Sequence, residues 1–174
     1  MVSRLLNAIW KVEKEMDDYL LTNEIIFESK PDAVPYNYRI SYKMAQMCLI
    51  MAKSCSCRSG CSLVKLHIIS NALNTHGDMV ALQDYVNNKI GFILVRFDPV
   101  VNRAIKFAIA DNLVYQLKNG TFKLSDTGKE LIKKIEQEDI MVQERNFLSE
   151  LGTKLTNEKI DQLMSLWRYK NAEN

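Results

Sequence analysis

The sequence predicts a mainly α fold of the α+β class: a winged-helix domain with N- and C-terminal helical extensions. Three observations carry this reading. An apolar run, Phe92 to Phe97, leads into a helix candidate with a strong start signal, Asp98-Pro99. Asn119-Gly120 then separates two short alternating runs, and a further helix candidate follows the second run directly. Helix, hairpin and helix in that order make the second half of a winged helix.

In chain order, residues 3 to 21 form an amphipathic helix candidate. Ser3 can cap it, and Leu5, Leu6, Ile9, Val12 and Met16 recur at helical spacing opposite Lys11, Glu13, Lys14, Asp17 and Asp18. Pro31 and Pro35 mark a linker after it. Residues 1–35 are therefore read as an N-terminal helix and linker, with the apolar stripe expected to dock on a partner. The main domain is expected over 36–137. Its first helix runs from Ile40 to Lys53, with an adaptable face of Met44, Met47, Cys48, Ile50 and Met51. Ser62 caps a second helix reaching Leu73, apolar on several sides and the most buried-looking element of the chain.

Asn74 to Asp78 reads as a break, followed by a short helix from Met79 to Tyr85. Phe92 to Phe97 has strand character. Asp98 is the N-cap of a helix with Pro99 at its first position, where the missing N–H is not needed, and Asp111-Asn112 ends it. Val114 to Leu117 and Thr121 to Leu124 flank Asn119-Gly120 as a hairpin. Thr127 and Glu130 suit a capping box for the next helix. The remainder, 138–174, is a helical extension in which Gly152 stops one helix and Thr156 caps the last.

On a helical wheel, Val100, Val101, Ala104, Ile105, Phe107, Ala108 and Ile109 cover about 200° of the Pro99–Ala110 helix, taking 100° per residue. Asn102, Arg103, Lys106 and Ala110 share the remaining strip. A helix that reads DNA needs several polar side chains reaching bases and phosphates. Only three are available, so a mostly buried helix is favoured over base readout. Asn102, Arg103 and Lys106, with Lys118 and Lys123 of the hairpin, are the candidate residues for contacting DNA or a partner. An ordinary solvated face explains the lysines equally well.

At 174 residues with a net charge of +2, the chain can bury a core without disulfides and is not a polybasic nucleic-acid binder. No export signal or apolar run long enough to span a membrane is visible, so a cytoplasmic protein with reduced thiols is expected. Cys55, Cys57, Cys61 and His67 superficially suggest zinc, but one residue between Cys55 and Cys57 is too tight for a usual knuckle. No metal or cofactor is expected. Thr127-Gly128-Lys129 lacks the upstream glycine of a P-loop, and no other catalytic signature occurs. A non-enzyme is expected.

Three segments taken together resemble a known family: GCSLVKLHIISNAL (60–73), ILVRFDPVVNRAIKFAIADNLV (93–114) and NGTFKLSDTGKELIKKI (119–135). Their order and content are similar to the middle component of bacterial ABC-three-component systems, the small accessory subunit of Lamassu-type anti-phage defence. The resemblance spans residues 36 to 167, and the cysteine loop at 54–60 has no counterpart in it. It implies a non-catalytic scaffold or regulator that accompanies an SMC-like ATPase and a nuclease-type effector subunit, with double-stranded DNA as a further contact. The alternative is a stand-alone winged-helix transcription regulator, dimeric on paired half-sites. A metal- or thiol-using enzyme is a distant third.

Overall fold

The computed structural model describes residues 39–55 and 59–172. The predicted N-terminal helix with Leu5, Leu6, Ile9, Val12 and Met16, the linker after it, and Cys57 lie outside the described residues. The fold is mainly α, with seven helices and one two-stranded sheet among the described residues. None of these helices is long and apolar enough to cross a membrane.

Helix α1 (Ile40–Ser54) is the centre of the molecule. Every residue from Tyr42 to Met51 is buried, and α1 packs against all the elements that surround it: α2 (Leu63–Ala72), α4 (Pro99–Ala110), α5 (Asp126–Gln137), α6 (Val142–Leu151) and strand β2 (Phe122–Leu124). The most buried helix is thus α1 and not α2, contrary to expectation. Two polar residues hid this in the sequence. Lys43, 1% exposed, donates from Nζ to Gln46 Oε1 at 3.1 Å, Ser70 Oγ at 3.0 Å and Asn74 Oδ1 at 3.3 Å. Ser70 Oγ in turn donates to Gln46 Oε1 at 2.9 Å. Polar groups go inside where such partners exist.

Local capping sets most boundaries. Ser62 Oγ accepts from the Lys65 N–H at the start of α2. Asp98 accepts from the Val100 N–H at 2.8 Å, and Pro99 opens α4 as expected. Helix α3 (His76–Val86) begins three residues earlier than the sequence indicated. Thr75 caps it by accepting from the Asp78 N–H, so the Asn74–Asp78 stretch is a helix start rather than a loop. Phe92–Phe97 is not a strand. Ile93 is buried and Leu94 and Arg96 are exposed, a period-two alternation, but among the described residues no strand pairs with the segment.

The hairpin joins β1 (Val114–Gln116) to β2 antiparallel, with Tyr115 opposite Lys123. Gly120 takes φ +81° while Asn119 Oδ1 accepts from the Thr121 N–H at 3.1 Å. The turn is therefore a tight turn followed by a left-handed glycine, the second commonest hairpin class. On its other edge β2 bridges Cys61: Cys61 N–H donates to Phe122 O at 2.9 Å and Phe122 N–H to Cys61 O at 2.8 Å. Cys55, at the end of α1, forms a disulfide with Cys61, their Cα atoms 5.5 Å apart. This corrects the expectation of four reduced thiols. Thiol state was inferred from compartment alone, and the fold brings these two together.

Helix α5 is capped by Ser125 and not by a Thr127 capping box. Ser125 Oγ accepts from the Gly128 N–H at 3.0 Å and donates to Asn112 O. Gly128 is where α5 crosses the start of β1: a Cβ there would lie 2.2 Å from Leu113 O. Between α5 and α6 the chain turns through left-handed Asp139 and Met141. Helix α6 returns onto α1, where the Tyr42 hydroxyl donates to Glu144 and Ser54 Oγ to Leu148 O. Helix α7 (Asn157–Ala172) closes against α3: Tyr85 OH donates to Lys159 O at 2.7 Å, and Lys159 Nζ to Val86 O at 2.9 Å. Leu148, Leu151, Leu155, Ile160 and Leu163 belong to the same core as α1.

Two measurements check this packing. Gly128→Ala pushes a methyl group into a backbone oxygen and is expected to lower the unfolding free energy by about 2–3 kcal/mol. Gly120→Ala, with open space but a left-handed φ, should cost about 1–2 kcal/mol. Equal effects in urea unfolding would mean that α5 does not rest on Leu113. The second concerns Lys43, whose pKa burial holds below the ordinary 10.5, partly offset by the charge of Asp98. The native state releases this proton before the unfolded chain does, so stability rises as pH climbs from the lowered value to 10.5. Burial lowers the Lys65 pKa and adds to the rise in the same sense. Lys43→Met should flatten part of that rise in pH-dependent urea unfolding. An unchanged slope would refute the assignment to Lys43.

Candidate functional site

The most distinctive surface is the outer side of α4. Its inner side is a narrow stripe, Val101, Ala104, Ile105 and Ala108, all buried. At 100° per residue these four span only about 100°. The outer arc, about 160° wide on the same count, runs Ile109, Asn102, Lys106, Ala110, Arg103 and Phe107, and all six are exposed. The expectation of a mostly buried helix is therefore corrected. Phe107, 50% exposed, and Ile109, 39% exposed, were assigned to the apolar arc, yet they stand in solvent at the two margins of the basic strip.

The incoming segment extends the apolar character of this region. Leu94 is 69% exposed and Phe97, immediately before the cap of α4, 49%. Phe97 also faces inward on one side. Its ring lies 4.8 Å from that of His67 and 5.8 Å from that of Trp167, edge-on. Arg96 N–H donates to Asn71 Oδ1 at 3.1 Å, fixing the segment to the end of α2.

Asn102 is not a free polar group. Its Oδ1 lies 3.1 Å from His67 Nε2, and an amide oxygen only accepts, so His67 carries its proton on Nε2. Nδ1 is buried without a hydrogen-bond partner among the described residues. Of the polar strip, Arg103 and Lys106 thus remain available for an outside partner, three residues apart on one face.

The hairpin lysines do not join the α4 strip in one site. Lys118 is exposed at the hairpin turn. Lys123, half-buried, lines a groove of about 420 Å³ with Tyr115, Met51, Cys55, Leu124 and Lys129; no α4 residue contributes to it. Among the described residues no three His, Cys, Asp or Glu side chains converge as a metal site. Cys55 and Cys61 are bonded to each other, and His67 points at Asn102.

No protein-family model, curated protein or solved structure matches this chain.

The pairing of His67 with Asn102 makes a direct test. Asn102→Ala strips a buried imidazole of its one hydrogen-bond partner among the described residues and is expected to lower the unfolding free energy by about 1–2 kcal/mol. Arg103→Ala, one residue on and unsupported by any such bond, should stay within about 0.5 kcal/mol. Denaturant titration of both variants decides the matter; a neutral Asn102→Ala would return Asn102 to the free surface.

Proposed function

We propose that this chain is a non-catalytic accessory or scaffold subunit of a bacterial anti-phage defence complex, built on a winged-helix plan and cytoplasmic. In this reading it binds an SMC-like ATPase and a nuclease-type effector subunit, and touches double-stranded DNA only through phosphates. Two lines support it. The segments at 60–73, 93–114 and 119–135 resemble the middle component of ABC-three-component systems. The order α1, the Cys61 bridge, α2, α4, hairpin, α5 has the sequence of parts a winged helix requires, with α3 inserted before α4. The disulfide weighs against a cytoplasmic location, since such bonds are uncommon there.

The observation that carries the choice of partner is the composition of the α4 face. Three of its six exposed positions are apolar, and Asn102 is engaged by His67. Base readout in a groove rests on polar side chains directed at base edges. Aromatic and arginine side chains side by side are instead the composition of protein interfaces. The face therefore suits a protein partner.

Arg103→Glu with Lys106→Glu tests this. Both side chains are exposed, so thermal unfolding of the double variant should match the wild type. Recovery of partner subunits with the tagged protein from its native host should be lost, because mismatched charges at an interface cost several kcal/mol, roughly a thousandfold in affinity. The isolated wild-type chain should bind duplex DNA weakly and without sequence preference in titrations at two salt concentrations. Tight, sequence-dependent binding would favour the stand-alone regulator. Intact assembly and intact DNA-dependent activity in the double variant would refute both readings of the strip.

A further inference from the structure

The segment that leads into α4 has the form of a strand without its ladder. From Ile93 through Leu94 and Val95 to Arg96 the residues are in turn buried, exposed, half-buried and exposed, the alternation of an extended chain. In such a chain successive residues direct their N–H and C=O groups to opposite edges. The Arg96 N–H donates to Asn71 Oδ1 at 3.1 Å, so one edge lies against the end of α2. The other edge carries the backbone groups of Ile93, Val95 and Phe97. None of these is bonded to another backbone group among the described residues. Ile93 is only 9% exposed, and buried backbone groups in folded proteins are nearly always paired. An added strand would pair them.

One stretch of the chain outside the described residues suits that edge. Glu24-Ile25-Ile26-Phe27-Glu28 sets β-branched and aromatic residues between two acids. Antiparallel pairing, the commoner kind, with Ile26 opposite Leu94 sets Ile25 opposite Val95 and Phe27 opposite Ile93. The same register sets Glu24 opposite Arg96. Arg96 is exposed and has no ion pair among the described residues. Apolar pairs and opposite charges facing each other across two strands are both favourable.

The length of chain permits it. Residues 29–38 join Glu28 to Arg39, just before α1, and an extended chain of that length reaches roughly 35 Å. The two places to be joined meet at one end of α2. Lys43, in the first turn of α1, bonds Asn74 at 3.3 Å, while Asn71 three residues earlier holds Arg96.

We propose that Ile25, Ile26 and Phe27 of this same chain add as an antiparallel strand to the free edge of Ile93–Phe97, making a second small sheet at the start of α4. Residues 1–21 then hang from a fixed point beside the exposed α4 face, and the two present one surface. Amide hydrogen exchange of the full chain, followed by NMR at two protein concentrations, tests this. The Ile93 and Val95 amides should exchange slowly, and equally slowly at both concentrations. Ile25→Pro breaks the ladder and should speed exchange at these two amides by at least about tenfold, with the α1 amides unchanged. Glu24→Lys with Glu28→Lys keeps every apolar residue but places like charge beside Arg96, and should speed exchange roughly two- to fivefold. Adding Arg96→Glu to that pair should restore the slow rate. If Ile25→Pro also speeds exchange in α1, the charge swap decides alone. Protection that grows with protein concentration would assign the edge to a second copy, and protection gained only with partner subunits would assign it to a strand of theirs. Either result overturns the proposal, as does fast exchange in the wild type or a charge swap without effect.

Discussion

The structure depends on burying one helix from every side. From Tyr42 to Met51, α1 has no face left for water, so whatever its sequence carries must be satisfied by neighbours. Methionines and leucines are satisfied by packing alone. Lys43 Nζ and Gln46 Oε1 find their partners in each other and in Ser70 and Asn74 of α2 and its end, while Gln46 Nε2 is buried with no hydrogen-bond partner among the described residues. A charge held by neutral partners contributes little net stability, but it penalises any shift of α1 against α2, because a shifted Lys43 would be buried unpaired. Register between the two helices is thus set by the polar network, and tightness by the apolar contacts around it.

The same helix governs where the outer surface sits. Its last residue, Ser54, leads into Cys55, the disulfide carries the chain to Cys61, and Cys61 pairs with Phe122 of the hairpin. The hairpin in turn leaves α4 through Leu113, against which Gly128 holds α5. Helix α4 is clamped at its inner stripe by α1 and at its end by this chain of contacts. Its outer arc therefore stands on a rigid base, the condition for a surface that recognises by shape.

Features set by near neighbours in the chain were legible. Ser62, Asp98 with Pro99, Gly152 and Thr156 act within a few residues of themselves, and helix starts and stops obey such local chemistry. Helical spacing also placed Asn102, Arg103 and Lys106 on one face correctly. What escaped was set by distant partners. Phe92–Phe97 alternates like a strand, but a strand needs a ladder, and among the described residues no strand pairs with it. Ser125 outcompetes Thr127 as a cap because it also reaches Asn112, a contact across the hairpin. Phe107 and Ile109 look like core residues in a wheel, yet packing covers only the Val101, Ala104, Ile105 and Ala108 stripe of α4. Asn102 looks free, because His67 is 35 residues away.

The central place of α1 also bears on how the chain comes to be made. It leaves the ribosome well before the elements that cover it, since α4, α5 and α6 follow by roughly fifty to a hundred positions. At synthesis rates of about 5–20 residues per second, its methionine- and leucine-rich surface waits several seconds for cover. Contacts between segments so far apart form slowly, because long loops must close before they are rewarded. During that interval α1 is the natural client surface for a chaperone, or for a partner that joins the chain while it is still being built.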